Sequence, residues 1–111
     1  MSQYIPAPLY DLEITWSKDD YIKFSDDQSA LIIGYRVRFT KLEYDILKLL
    51  FDEGGWFTAE QIIERCFEHK DVGVGNVAVH VFNLNQKVLP VTGRKIVFHD
   101  RKNGYRIVEN I

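Results

Sequence analysis

A chain of 111 residues that is 46% hydrophobic can bury the core of one compact domain but not of two. Its single cysteine, Cys66, excludes an internal disulfide framework and suits a buried, reduced thiol in the cytoplasm. No run is long enough to span a membrane, Met1-Ser2-Gln3-Tyr4-Ile5-Pro6 lacks the basic-then-apolar order of a signal peptide, and a net charge of −2 gives no general affinity for polyanions.

In chain order, residues 1–20 read as an N-terminal extension and first strand, with Pro6-Ala7-Pro8 extended ahead of a strand around Leu12–Trp16. Residues 21–39 alternate apolar and polar side chains around Tyr21–Phe24, Leu31–Ile33 and Tyr35–Phe39. Turns at Asp26-Asp27-Gln28 and at Gly34 separate them, giving a small antiparallel sheet of three or four strands.

The period changes over residues 40–89, which read as a three-helix core. Thr40-Lys41-Leu42-Glu43 has the form of a capping box, so a helix starts there, buries Leu42, Ile46, Leu49, Leu50 and Phe51, and ends after Glu53 at Gly54-Gly55. Thr58-Ala59-Glu60-Gln61 repeats the signal for a short second helix with Ile62, Ile63, Cys66 and Phe67 on its apolar side. A third helix is expected from an N-cap at Asn76 to Val88 or Leu89, stopped by Pro90, with Val77, Val81, Leu84 and Val88 as its core stripe. Residues 94–108 read as a hairpin, with strands Lys95–His99 and Gly104–Val108 around Asp100-Arg101-Lys102-Asn103-Gly104, in which Asn103-Gly104 is a strong turn signal.

Charge is unevenly placed along this plan. Residues 1–55 hold six Lys and Arg against ten Asp and Glu, whereas Lys87 to Arg106 hold six bases against Asp100 alone. The C-terminal end is where phosphate would be attracted.

Phrases in these elements carry a family resemblance. Phe39-Thr40-Lys41-Leu42-Glu43-Tyr44, Thr58-Ala59-Glu60-Gln61-Ile62-Ile63, Val77-Ala78-Val79-His80-Val81-Phe82-Asn83-Leu84-Asn85-Gln86-Lys87-Val88 and Arg101-Lys102-Asn103-Gly104-Tyr105-Arg106 occur in the order and spacing seen in OmpR/PhoB-type effector domains. The chain resembles that family over residues 21 to 108. The resemblance implies an α+β fold, a winged helix-turn-helix with an N-terminal antiparallel sheet, three helices and a C-terminal hairpin wing. It also implies a DNA-binding transcriptional regulator. The sequence departs from the pattern where Asn85 replaces the usual arginine, Asn83 stands at a base-reading position often held by arginine, and His99 stands where threonine opens the wing phrase. The receiver that ordinarily precedes such a domain is not among these residues.

On that resemblance the third helix enters the major groove, presenting Asn76, Val79, His80, Asn83 and Lys87. Asn83 would pair with adenine, Val79 would pack on a thymine methyl, and His80 and Lys87 would meet phosphate. Arg101 would enter the minor groove with Lys102 beside it, Arg94, Lys95 and Arg106 would serve phosphate, and His99 belongs to the same surface. Tyr105 reads as a packing residue and Asn85 as pointing away from the reading face. Ala78, Phe82 and Leu89 fall together on another side, covered by the protein's own strands or open to a partner. This leaves an alternative, a winged-helix module that binds another regulator or RNA polymerase, and a homodimer on repeated half-sites is a further partner. His69, His80 and His99 lack metal-ligand spacing with Cys66, and no phosphate loop or nucleophile motif occurs, so neither an enzyme nor a cofactor is expected.

Overall fold

The computed structural model describes residues 15–111. Its elements are a one-turn helix α1 (Lys18–Tyr21), strands β1 (Ile22–Phe24), β2 (Ser29–Ile32) and β3 (Tyr35–Arg38), helices α2 (Lys41–Glu53), α3 (Ala59–Cys66) and α4 (Gly75–Thr92), and strands β4 (Val97–Asp100) and β5 (Gly104–Ile107). Among the described residues no helix is long and apolar enough to cross a membrane.

The first sheet has the order β1-β2-β3, all antiparallel, with Ile22 opposite Ile32 and Ala30 opposite Val37. A two-residue turn at Ile33-Gly34 joins β2 to β3 with both residues at positive φ, 48° and 81°, matching the natural twist of the strands. Residues 12–14 of the expected first strand lie outside the described residues. Thr15 and Trp16 lie in no named strand; instead the Trp16 and Ile111 backbones exchange two hydrogen bonds of 2.9 Å. The Tyr21 hydroxyl donates to the Val108 carbonyl, and burial pushes its pKa far upward.

Both capping boxes form as expected. Thr40 Oγ1 accepts from Glu43 N while Glu43 Oε1 accepts from Thr40 N at 2.9 Å, and Thr58 and Gln61 repeat the exchange at the start of α3. Helix α2 packs against α3, α4 and β5, so its buried arc is wider than a single stripe. Leu47 and Glu43 are buried with Ile46 and Leu50, while Leu42, Leu49 and Phe51 sit at the margin. Cys66 is likewise half-buried, not enclosed.

Helix α4 buries Val77, Val81, Leu84 and Val88, the stripe read from the sequence. Its ends differ from expectation. It starts at Gly75, and the Asn76 side chain donates back to the Gly73 carbonyl instead of capping. Pro90 lies inside the helix, which runs on to Thr92 and closes at Gly93 in the left-handed conformation, with Gly93 N–H on the Leu89 carbonyl. The carbonyl that Pro90 cannot serve belongs to Gln86, an exposed residue on the side open to solvent, and the half-buried Val91 extends the packed face.

The hairpin β4–β5 pairs Val97 with Ile107 and Asp100 with Gly104. The loop, residues 101–103, lies within the expected turn segment, and the Asp100 carboxylate accepts from the Lys102 and Asn103 backbone N–H groups at 3.1 and 2.8 Å. Gly104 is needed for another reason. At φ +106° its backbone lies against residue 57, where a Cβ would stand 2.2 Å from the Phe57 carbonyl oxygen. That approach lets Phe57 and Tyr105 exchange backbone bonds of 2.8 and 2.7 Å, so the hairpin gains a third strand-like edge. Gly104→Ala should cost on the order of 3 kcal/mol, seen as a lower urea midpoint in circular dichroism; unchanged stability would contradict this contact.

Candidate nucleic-acid interface

Three elements meet at one surface: the outward face of α4, the start of α3 and the hairpin. The beginnings of α3 and α4 and the hairpin tip line one cleft of about 390 Å³, in which Ala78 faces Arg101 and Lys102. A second groove of about 390 Å³ runs between α4 and β4, with Phe82 on one wall and Phe98 and His99 on the other. The hairpin is therefore the wing of the helix-turn-helix, beside its third helix.

What holds wing to helix is Asn85. Its side chain is buried, and Oδ1 accepts from Ile96 N–H at 3.0 Å and Val97 N–H at 3.1 Å while Nδ2 donates to the Val97 carbonyl at 3.1 Å. One carboxamide thus satisfies the outer edge of β4 as a neighbouring strand would. The residue was expected to point away from the reading face, and it does; its role as a clasp needs the position of β4, which helical angle does not give.

The polar face read along α4 divides. Val79 and Asn83 are exposed as expected, and Asn76 is exposed at the first turn. His80 turns inward, half-buried with its ring edge-on to Phe67 at 5.9 Å. Lys87 is drawn to the buried Glu43, where Nζ donates to Oε1, the oxygen that also accepts from Thr40 N–H. His80 and Lys87, both expected to meet phosphate, thus each have a partner within the protein, and Lys87 stays exposed along its length. Gln86, not singled out from the sequence, joins the outward face, since 100° per residue places it between Val79 and Phe82. Phe82 is 60% exposed and Leu89 39% exposed, so the protein's own strands do not cover them; Ala78 is exposed too.

On the wing, Arg94, Lys95, Arg101 and Lys102 are exposed, and among the described residues no carboxylate pairs with them. Arg106 is engaged elsewhere, over the Trp56 ring at 5.3 Å and 3.5 Å from Glu109. His99 stacks on Tyr105 with ring centroids 4.3 Å apart. Tyr105 is buried as expected, and that burial raises its pKa. On the opposite side a cleft of about 560 Å³ is bordered by Lys41, Asp45, Cys66, His69 and His80. Burial foremost, then the Asp45 carboxylate, pushes the Cys66 thiol up to about 11.

No protein-family model matches the chain, and no curated protein matches it. Solved structures do. The DNA-binding domain of the response regulator AdeR, solved in complex with an intercistronic region, superposes with a TM-score of 0.70 at 26% identity, over 81% of this chain and 96% of that one. A redox sensor of the streptococci, evolved from two-component response regulators, gives 0.69 at 23% identity over 80% of this chain, which spans 40% of that longer one. The C-terminal DNA-binding domain of RstA from Klebsiella pneumoniae gives 0.62 at 18% identity, over 78% and 81% of the two chains. This chain is a winged helix-turn-helix of the α+β class. Its structural neighbours include DNA-binding domains of response regulators.

Asn85→Leu keeps volume but strands two N–H groups and a carbonyl, and should cost about 2–3 kcal/mol with faster amide exchange at Ile96 and Val97; unchanged exchange there would disprove the clasp. Iodoacetamide should label Cys66 more slowly in the folded protein than in urea at pH 8.5. The folded rate should keep rising beyond pH 9, because thiolate forms only toward about 11.

Proposed function

We propose that this chain is a DNA-binding regulator of transcription that places α4 in the major groove and Arg101 in the adjacent minor groove. The supporting observation is the pairing of a solvent-facing helix surface, Asn76, Val79, Asn83 and Gln86, with four cations on the neighbouring wing that meet no carboxylate among the described residues. Base edges are met by short polar and apolar side chains, and phosphates by Arg94, Lys95 and Lys102. A narrow A·T minor groove, with its concentrated negative potential, suits Arg101 at the loop tip. Neighbours that bind DNA through the same fold support the same assignment.

A second reading, a protein-interaction module for another regulator, RNA polymerase or a second copy, is favoured by one observation, the open apolar side chains of Phe82 and Leu89. Gel shifts of the folded protein on genomic fragments separate the two. Binding should weaken as salt rises, the log–log slope should flatten by about 1 in Lys102→Ala, and Arg101→Ala should weaken binding by about tenfold. No shift at low salt would overturn the DNA reading and leave the interaction module.

A further inference from the structure

Helix α4 carries no arginine, and its only lysine, Lys87, although still exposed along its length, has its ammonium held on the buried Glu43 carboxylate. His80 is turned toward Phe67. Guanine offers the major groove two acceptors, O6 and N7, and is read best by a guanidinium or an ammonium group. This helix presents no guanidinium, and its one ammonium is already held by a carboxylate.

What it does present is two large apolar side chains, Val79 at 57% and Phe82 at 60% exposure, interleaved with the carboxamides of Asn83 and Gln86. Two such groups on one helix face make an apolar patch that contact with another apolar group would stabilise. In the major groove the one apolar group on a base edge is the C5 methyl of thymine, and the donor–acceptor pair that matches a carboxamide is N6 and N7 of adenine. Both chemistries on the helix therefore select the same base pair. The flanking wing points the same way, because Arg101 and Lys102, which meet no carboxylate among the described residues, are drawn most strongly to the narrow minor groove of A·T tracts.

We infer that the helix is a thymine-methyl reader: Val79 and Phe82 pack on thymine methyl groups, and Asn83 and Gln86 pair with the adenines of an A·T-rich half-site. This rests on the proposal that the domain binds duplex DNA, and it gives Phe82 an occupant other than a protein. Apolar contact replaces charge in the groove, and charge is left to the wing.

The test is a binding selection from a randomised duplex pool with the folded protein, followed by replacement of thymine with deoxyuridine in the selected site. Deoxyuridine removes only the methyl and keeps the base pairing and the minor-groove edge. The selected core should be A·T-rich, and each contacted methyl removed should weaken binding by roughly fourfold. In Phe82→Ala and Val79→Ala that penalty should shrink, while the salt slope, which the wing cations set, stays as in the parent. Because both side chains are exposed, the variants should keep the parent's circular dichroism and unfolding midpoint. A G·C-rich site, or tight binding indifferent to deoxyuridine, would overturn the inference while leaving DNA binding intact. Loss of self-association in Phe82→Ala with no change in the methyl penalty would also overturn it and assign Phe82 to a dimer. Failure to bind any duplex at low salt would remove the functional proposal itself.

Discussion

A single carboxamide sets the distance between the two arms of the proposed interface. Two-stranded hairpins are marginal alone, and this one leaves an edge on each side. Asn85 closes the β4 edge from α4, and the Phe57 backbone closes the β5 edge next to Gly104. The first grip fixes the wing to the recognition helix, and the second fixes it to the segment that leads into α3. With either missing, Arg101 and Asn83 would no longer hold a common frame. An asparagine suits this place because it offers one acceptor and one donor without charge, and an arginine there would have no acceptor for the two N–H groups of β4.

Electrostatic selection follows from what the fold does with its cations. Lys41, Lys48 and Arg65 pair with Asp45, Asp52 and Glu53, and Arg36 and Arg38 both approach Asp27. Most of these are surface contacts of small energetic weight, but they neutralise the N-terminal half locally. Glu43 is different, since it is buried and depends on Lys87 and the Thr40 N–H for compensation. Between Lys87 and Arg106 the positive field that remains comes from Arg94, Lys95, Arg101 and Lys102, a smaller patch than all six bases, while Lys18, Lys23 and Lys70, elsewhere in the chain, donate to backbone carbonyls. An acidic protein can thereby keep a small cationic surface.

Local chemistry made much of the fold legible. Thr40 with Glu43, and Thr58 with Gln61, marked helix starts because capping acts over three residues, and the stripe from Val77 to Val88 followed from helical period alone. Pro90 misled because its cost falls on a carbonyl that water can satisfy, which depends on which side of α4 faces solvent. The site was less legible for a related reason. His80, Lys87 and Arg106 lie on surfaces where a free cation would be expected, yet Phe67, Glu43 and Trp56 claim them from 13, 44 and 50 positions away in sequence. Asn85 and Gly104 belong with these, since each is explained by a contact with backbone elsewhere in the chain.

The hydrogen bonds between Trp16 and Ile111, with the bridge of Ser17 to Asn110, bring the two ends of the described fold side by side. The domain is in this sense a loop with one gate. Any neighbour joined through that gate would exert force on the Trp16–Ile111 pair first, and then on the bonds that hold α1 to Val108 and Glu109. The same adjacency makes circular permutation feasible: the ends could be linked and new ones opened in the polar stretch after Phe67, leaving the wing and its clasp untouched.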